Sequence, residues 1–130
     1  MITAVPAFLR KLDISWNELL EKQVVKLFNA LSKNTGLENL NLAMTSVPIP
    51  VTMPKSKKKV IDTTSGLRKF IRNNTRLVHL DLSGMFKSVY HVRKIIKAIK
   101  KSKTLLAVHL SYTPVINSSI KLQTYMRKKL

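Results

Sequence analysis

Four times along the 130-residue chain, apolar side chains recur at the spacing L-x-x-L-x-L: Leu9-Leu12-Ile14, Leu37-Leu40-Leu42, Leu77-Leu80-Leu82 and Leu105-Val108-Leu110. The starts are 28, 40 and 28 residues apart. Self-similarity at a fixed period restricts the chain to stacked copies of one supersecondary unit, because a single copy cannot bury its own apolar face. Within each copy the last two apolar positions alternate, as in a short strand with one buried face. The 40-residue interval reads as a 28-residue unit with 12 extra residues. These fall in TSVPIPVTMPKSKKKV, residues 45–60, whose three prolines and four lysines carry no periodicity and predict a basic, largely extended loop.

Between the short strands lie helical patterns. In SVYHVRKIIKAIKKSK, Val92, Ile95, Ile96 and Ile99 follow i, i+3, i+4, i+7, with Arg93, Lys94, Lys97, Lys100 and Lys101 on the opposite face. Val24, Leu27, Phe28 and Leu31 repeat the pattern in the first unit, and Leu67, Phe70 and Ile71 mark the buried side in the second. A last helix over about 118–130 is expected from Leu122, Tyr125, Met126 and Leu130, with a less regular register. Leu31, Ile71 and Ile99 each sit six residues before the first leucine of the next strand, an equality that chance does not supply.

A strand and helix alternating near 28 residues is the signature of a leucine-rich repeat. Over residues 9–130 the chain resembles the ribonuclease-inhibitor-like class of that family. The resemblance implies an α/β leucine-rich repeat solenoid, a curved parallel sheet on the concave side with helices on the convex side, forming a single domain over 1–130. The predicted strands are 9–14, 37–42, 77–82 and 105–110. The family also implies an Asn three residues after the last strand leucine, bonding backbone groups of the neighbouring coil. Asn17 fits; Thr45, Met85 and Thr113 depart from the pattern, and looser later coils are expected there. Only eight residues precede the first strand, so an uncapped edge at Leu9, Leu12 and Ile14 predicts a marginal or self-associating isolated chain.

Charge narrows the partners. Lysine and arginine total 24 against six acids, a formal net charge of +18. Residues 1–50 carry five basic and four acidic groups, while residues 51–130 carry nineteen basic groups and only Asp62 and Asp81. Such a bias in one part of the chain points to a polyanionic neighbour: an acidic protein surface, nucleic acid or lipid headgroups. The candidate basic docking face is Arg93, Lys94, Lys97, Lys100, Lys101 and Lys103, and the loop lysines Lys55, Lys57, Lys58 and Lys59 extend it.

The strands' outward side chains stack into columns, Lys11, Asn39, His79, Ala107 and Asp13, Asn41, Asp81, His109. They make Lys11, Asp13, Asn39, Asn41, His79, Asp81 and His109 candidate concave-face contacts. His79, Asp81 and His109 invite a metal or a proton relay, but a metal needs three or four ligands and a relay needs a nucleophile in reach. Ser83 and Ser111 lie near but off the column. Trp16, Met44, Gly84 and Tyr112 follow the strands at equivalent positions, either as partner anchors or packed on the next coil.

With no cysteine, thiolate chemistry and disulfides are excluded. With three glycines and no phosphate-cradling, paired-histidine or paired-cysteine motif, no catalytic residue, metal, cofactor or small-molecule substrate is expected. No apolar stretch approaches the ~18–20 residues of a membrane span, and the opening MITAVPAFLRKLD does not resemble a secretory signal. Leucine-rich repeats of this class occur in Ran GTPase activators, tropomodulin-type actin cappers, innate immune receptors and axonemal proteins, and fold analogy does not choose among these. The expected function is a non-enzymatic scaffold for protein–protein interaction, docking through its basic part on an acidic partner in a cytoskeletal or ciliary assembly. The alternative is a basic component of a ribosome or other ribonucleoprotein, though the basic part lacks a row of aromatic stacking platforms. Either places it inside the cell, in the cytoplasm or on the cytoskeleton, with a cilium or another organelle left open.

Overall fold

The computed structural model describes residues 6, 8–45 and 63–113. Its elements are β1 (Lys11–Asp13), α1 (Glu21–Ser32), β2 (Asn39–Asn41), α2 (Ser65–Asn73), β3 (His79–Asp81), α3 (Val89–Lys101) and β4 (Ala107–His109). The expected loop beyond Thr45, with Lys55, Lys57, Lys58 and Lys59, and the expected last helix lie outside the described residues.

The four strands form one parallel sheet in the order β1-β2-β3-β4. Registers are uniform: Leu12 pairs with Leu40, Leu40 with Leu80, and Leu80 with Val108. Parallel neighbours need a crossover connection. The intervals between them hold α1, α2 and α3, with α1 packed on α2 and α2 on α3.

Each strand is three residues long, half the predicted span. The cause lies just beyond it, where Trp16, Met44, Gly84 and Tyr112 all have left-handed backbone, with φ of 60°, 59°, 63° and 56°. That turn leaves the extended conformation without ending the inter-strand bonding. The Ile14 and Trp16 amides donate to Asn41 and Ala43 carbonyls, those of Leu42 and Met44 to Asp81 and Ser83, and those of Leu82 and Gly84 to His109 and Ser111.

Inward side chains build one core. Leu37, Leu40, Leu42, Leu77, Leu80, Leu82 and Leu105 have no exposed surface, nor do Leu31, Ile71 and Ile99 from the helices. Fully burying a side chain of this size contributes roughly 1.5–3 kcal/mol, so these positions dominate the stability. Leu9, Leu12 and Ile14 of the first copy are only partly buried against the same cluster.

A second repeat, polar and buried, joins each helix to the next strand. Asn34 Oδ1 accepts from the amides of Gly36 and Leu37, and Asn74 Oδ1 from those of Arg76 and Leu77. Ser102 Oγ does the same for Thr104 and Leu105. All three stand three residues before the first leucine of a strand, where a buried backbone donor must find a partner.

At the opposite corner the bonding differs from the family expectation. Asn17 Nδ2 donates to the carbonyls of Ile14 and Ser15, Thr45 Oγ1 to Leu42 and Thr113 Oγ1 to Leu110. These bonds close the residue's own turn rather than bridging to the neighbouring coil, because the side chain reaches back three residues. Met85 replaces the bond with burial, at 1% exposure beside an equally buried Phe86.

Gly66 lets α1 and α2 approach. A Cβ there would lie 2.6 Å from the Phe28 carbonyl carbon and 3.0 Å from the Asn29 nitrogen, both backbone atoms that no rotamer change can move. Overpacking of this kind costs about 1–3 kcal/mol, more than the ~1 kcal/mol that Ala gains over Gly within a helix. Gly66→Ala is therefore expected to lower the chemical-denaturation midpoint. A midpoint that rises would show that the two helices separate freely.

Candidate functional site

The registers assemble the two predicted outward columns. Lys11 stands beside Asn39, Asn39 beside His79 and His79 beside Ala107; Asp13 stands beside Asn41, Asn41 beside Asp81 and Asp81 beside His109. Much of the second column is already committed to the fold. Asp13 Oδ1 accepts from the Ser15 amide and hydroxyl, Asn41 Oδ1 from the Ala43 amide, and Asp81 Oδ1 from the Ser83 amide. Asn41 Nδ2 also donates to Asp13 Oδ2 across the strands at 3.1 Å. Each of these side chains thus closes the turn that follows its own strand.

The hydrogen bonds from the Ser15 hydroxyl and amide, with a smaller one from Asn41, hold the Asp13 carboxyl below its usual range, against a small opposing effect of burial. The sign follows from linkage. A carboxylate favoured in the folded state stabilises the fold above the unfolded pKa, and that contribution fades as pH falls through the lowered value.

His79 and His109 approach with ring centroids 4.9 Å apart and planes tilted by 55°. Among the described residues, no three His, Cys, Asp or Glu side chains are grouped to hold a metal ion. Ser83 Oγ accepts from the Ser111 amide, which places it in the coil-to-coil bonding beside the column.

The left-handed row at the end of the strands presents large side chains. Trp16 is 77% exposed and Tyr112 88%. Met44 lies across Gly84, so a side chain there would have to displace the flexible Met44 thioether, and glycine takes the φ of 63° without strain. A bulky residue held in this backbone region costs on the order of 1–3 kcal/mol. Trp16 and Tyr112 recover little of that cost through burial among the described residues.

The predicted basic face of α3 divides in two. Arg93, Lys97, Lys101 and Lys103 are exposed, whereas Lys94 and Lys100 are half-buried. Lys94 places its Nζ 4.3 Å from the centroid of the Tyr90 ring, one helical turn earlier, in a cation–π contact. Lys94, Lys97 and Lys101 turn toward α2, where with Arg68, Arg72 and Ala98 they line a cleft of about 220 Å³. Arg93, Lys100 and Lys103 are not part of that lining. The sequence reading did not single out Arg68 and Arg72. Their signal is the RKFIRN segment, which places both arginines on α2 at helical spacing, while their meeting with the α3 lysines depends on the packing of two helices.

Acids are scarce near these groups. Glu38 meets Arg10 and Arg76 at 3.9 Å each, on half-exposed side chains. Ion pairs of that length and exposure contribute little. Among the described residues, no helix is long and apolar enough to cross a membrane.

A four-stranded parallel sheet with three crossover helices, outward polar columns and a cation-lined interhelical cleft defines the class, an α/β fold of stacked strand–helix units. Among solved structures it is similar to the tropomodulin C-terminal domain of Caenorhabditis elegans. The TM-score is 0.50 at 14% identity, covering 94% of this chain and 84% of that one. At that identity the likeness concerns the fold alone. No protein-family model matches the sequence, and no curated protein matches it.

Proposed function

We propose that this chain is a leucine-rich repeat solenoid of the ribonuclease-inhibitor-like class, its sheet on the concave side and its helices on the convex side. In this reading it serves as a non-enzymatic scaffold that docks on an acidic protein. The uniform register, the recurrent left-handed corner and the likeness to the tropomodulin C-terminal domain support the fold assignment. The function rests chiefly on one observation. Arg93, Lys97, Lys101 and Lys103 are exposed and have no carboxylate partner among the described residues. Exposed cations concentrated on one helix and its end steer an oppositely charged partner and suppress wrong ones.

Trp16 favours protein over RNA as that partner. It is exposed, yet its sequence neighbours Asp13, Glu18 and Glu21 are exposed acids that repel phosphate. An indole in such a setting suits a protein contact better than base stacking. The setting proposed is inside the cell, in a cytoskeletal or ciliary assembly, with the basic surface on an acidic subunit.

Affinity purification of the tagged chain, with and without nuclease, tests this. The principal partner is expected to stay bound after nuclease and to leave as salt rises, since surface charges are screened beyond roughly 8 Å at physiological ionic strength. Release by nuclease alone would replace this reading with that of a ribonucleoprotein component.

A further inference from the structure

We propose that the cleft between α2 and α3 is a binding site for a compact, multiply phosphorylated anion. Its lining is Arg68 and Arg72 from α2, with Lys94, Lys97, Ala98 and Lys101 from α3. Five of these six residues are cationic. Of the six acids in the sequence, five lie among the described residues, Asp13, Glu18, Glu21, Glu38 and Asp81, and none lines the cleft.

Repeat geometry explains how the cleft arises. The backbone of α1 at Phe28 and Asn29 lies directly against Gly66 of α2. One unit later, the position of Phe28 is taken by Arg68 and that of Gly66 by Lys94. The glycine that admits the Phe28 backbone is replaced by a lysine and the phenylalanine by an arginine, and both cations, each on a long side chain, line the cleft. Like charges in a partly enclosed space repel, and a lysine side chain in place of glycine prevents the close backbone approach that Gly66 allows. α2 and α3 are less closely packed than α1 and α2. Ala98, 3% exposed, keeps a short side chain in the lining.

Chemistry narrows the ligand. A cleft lined by one sign of charge focuses its field and concentrates counter-ions. The two guanidinium groups offer planar forks that fit phosphate oxygens in pairs, while the lysines act as mobile point charges. At about 220 Å³ the space is smaller than the ~300–1,000 Å³ of pockets that enclose drug-sized ligands. High charge in little volume matches clustered phosphates better than the carboxylates of an acidic peptide, which are spread along an extended backbone at roughly 3.3 Å per residue. The source is either a soluble polyphosphate or a polyphosphorylated lipid headgroup. The cleft shares Lys94, Lys97 and Lys101 with the proposed docking face, but Arg68 and Arg72 on α2 lie outside that face and belong to the cleft alone.

The test is calorimetric titration of the whole chain with inositol hexakisphosphate, alongside co-sedimentation with neutral-lipid vesicles containing a phosphoinositide. Arg72→Gln with Lys97→Gln, both exposed, is expected to weaken binding about 100-fold, at roughly tenfold for each charge-assisted bond removed. The pair Lys22→Gln and Lys69→Gln removes the same charge outside the cleft and is expected to change affinity less than twofold. Hexaglutamate is expected to compete poorly. Amide resonances of the unmodified chain supply a readout without substitution, with the largest shifts at Arg72, Lys97 and Ala98. Soluble binding without sedimentation assigns a free polyphosphate, and sedimentation with the vesicles a lipid headgroup. Four results would each overturn the site: no binding of either probe, equal loss in the control pair, competition by hexaglutamate at equal affinity, or resonance shifts confined elsewhere. Loss of the protein partner with the cleft still binding its probe would fault the docking reading alone.

Discussion

Lys94→Glu, Lys97→Glu and Lys101→Glu together are expected to abolish binding of the acidic partner while the chain stays folded. Lys97 and Lys101 are exposed and Lys94 is half-buried over the Tyr90 ring, so none is packed in the core built by Val92, Ile95 and Ile99. Three reversals change the local charge by six units on one side of one helix. Like-charge juxtaposition at an interface costs several kcal/mol, which corresponds to a loss of on the order of 100-fold or more in affinity. Circular dichroism and the denaturation midpoint check the fold, and affinity at fixed salt checks the interaction. The salt dependence adds a discriminator. On duplex nucleic acid, losing three phosphate contacts flattens the logarithmic salt slope by about three units, whereas an acidic protein surface gives a shallower change. Unchanged partner binding by the folded triple variant would transfer the working surface to the outward columns at Asn41, Asp81 and His109.

Asn74→Ala is expected to destabilise the chain more than any surface change, by roughly 1–3 kcal/mol, because that is the cost of a buried donor left without an acceptor. Asn74 is 4% exposed, and its Oδ1 accepts the amides of Arg76 and Leu77 at 2.7 Å each, the second of them buried. Asn74→Ser is expected to restore most of the loss, since Ser102 performs the same task one unit later with a hydroxyl. Urea denaturation of the three forms measures this. Equal midpoints for the Ala and Ser variants would show that volume, rather than the acceptor, is what the position supplies.

Most of the architecture could be read from residue spacing. Leu40 and Leu80 announced the inner face of the sheet because a period of two assigns each strand residue to one side, and uniform spacing set the register between copies. The spacing could not show where each strand ends. That is decided at Trp16, Met44 and Tyr112, which carry no propensity for the left-handed region they occupy; the amides of Trp16 and Met44 are held there by bonds to the neighbouring coil. The apolar stripe did not include His91 and Ala98, buried at 4% and 3%: His91 lies beside the Phe86 ring, centroids 6.3 Å apart, and Ala98 lines the cleft against α2.

Candidate surfaces divide along the same line. By itself the sequence determined which residues stand in the outward columns and which α3 residues carry charge, because both follow from periodicity within a single element. Only the tertiary structure decided what those groups meet. It turned the carboxyl and amide of Asp13 and Asn41 back onto their own turns, placed Lys94, Lys97 and Lys101 opposite Arg68 and Arg72, and left Trp16 and Tyr112 exposed. The physical reason is that side-chain direction is local, whereas the distance between two helices depends on what each sets against the other. Gly66 admits the Phe28 backbone in one helix pair, whereas in the next Lys94 and Arg68 hold the matching positions and line a cleft, although a single repeat pattern runs through both.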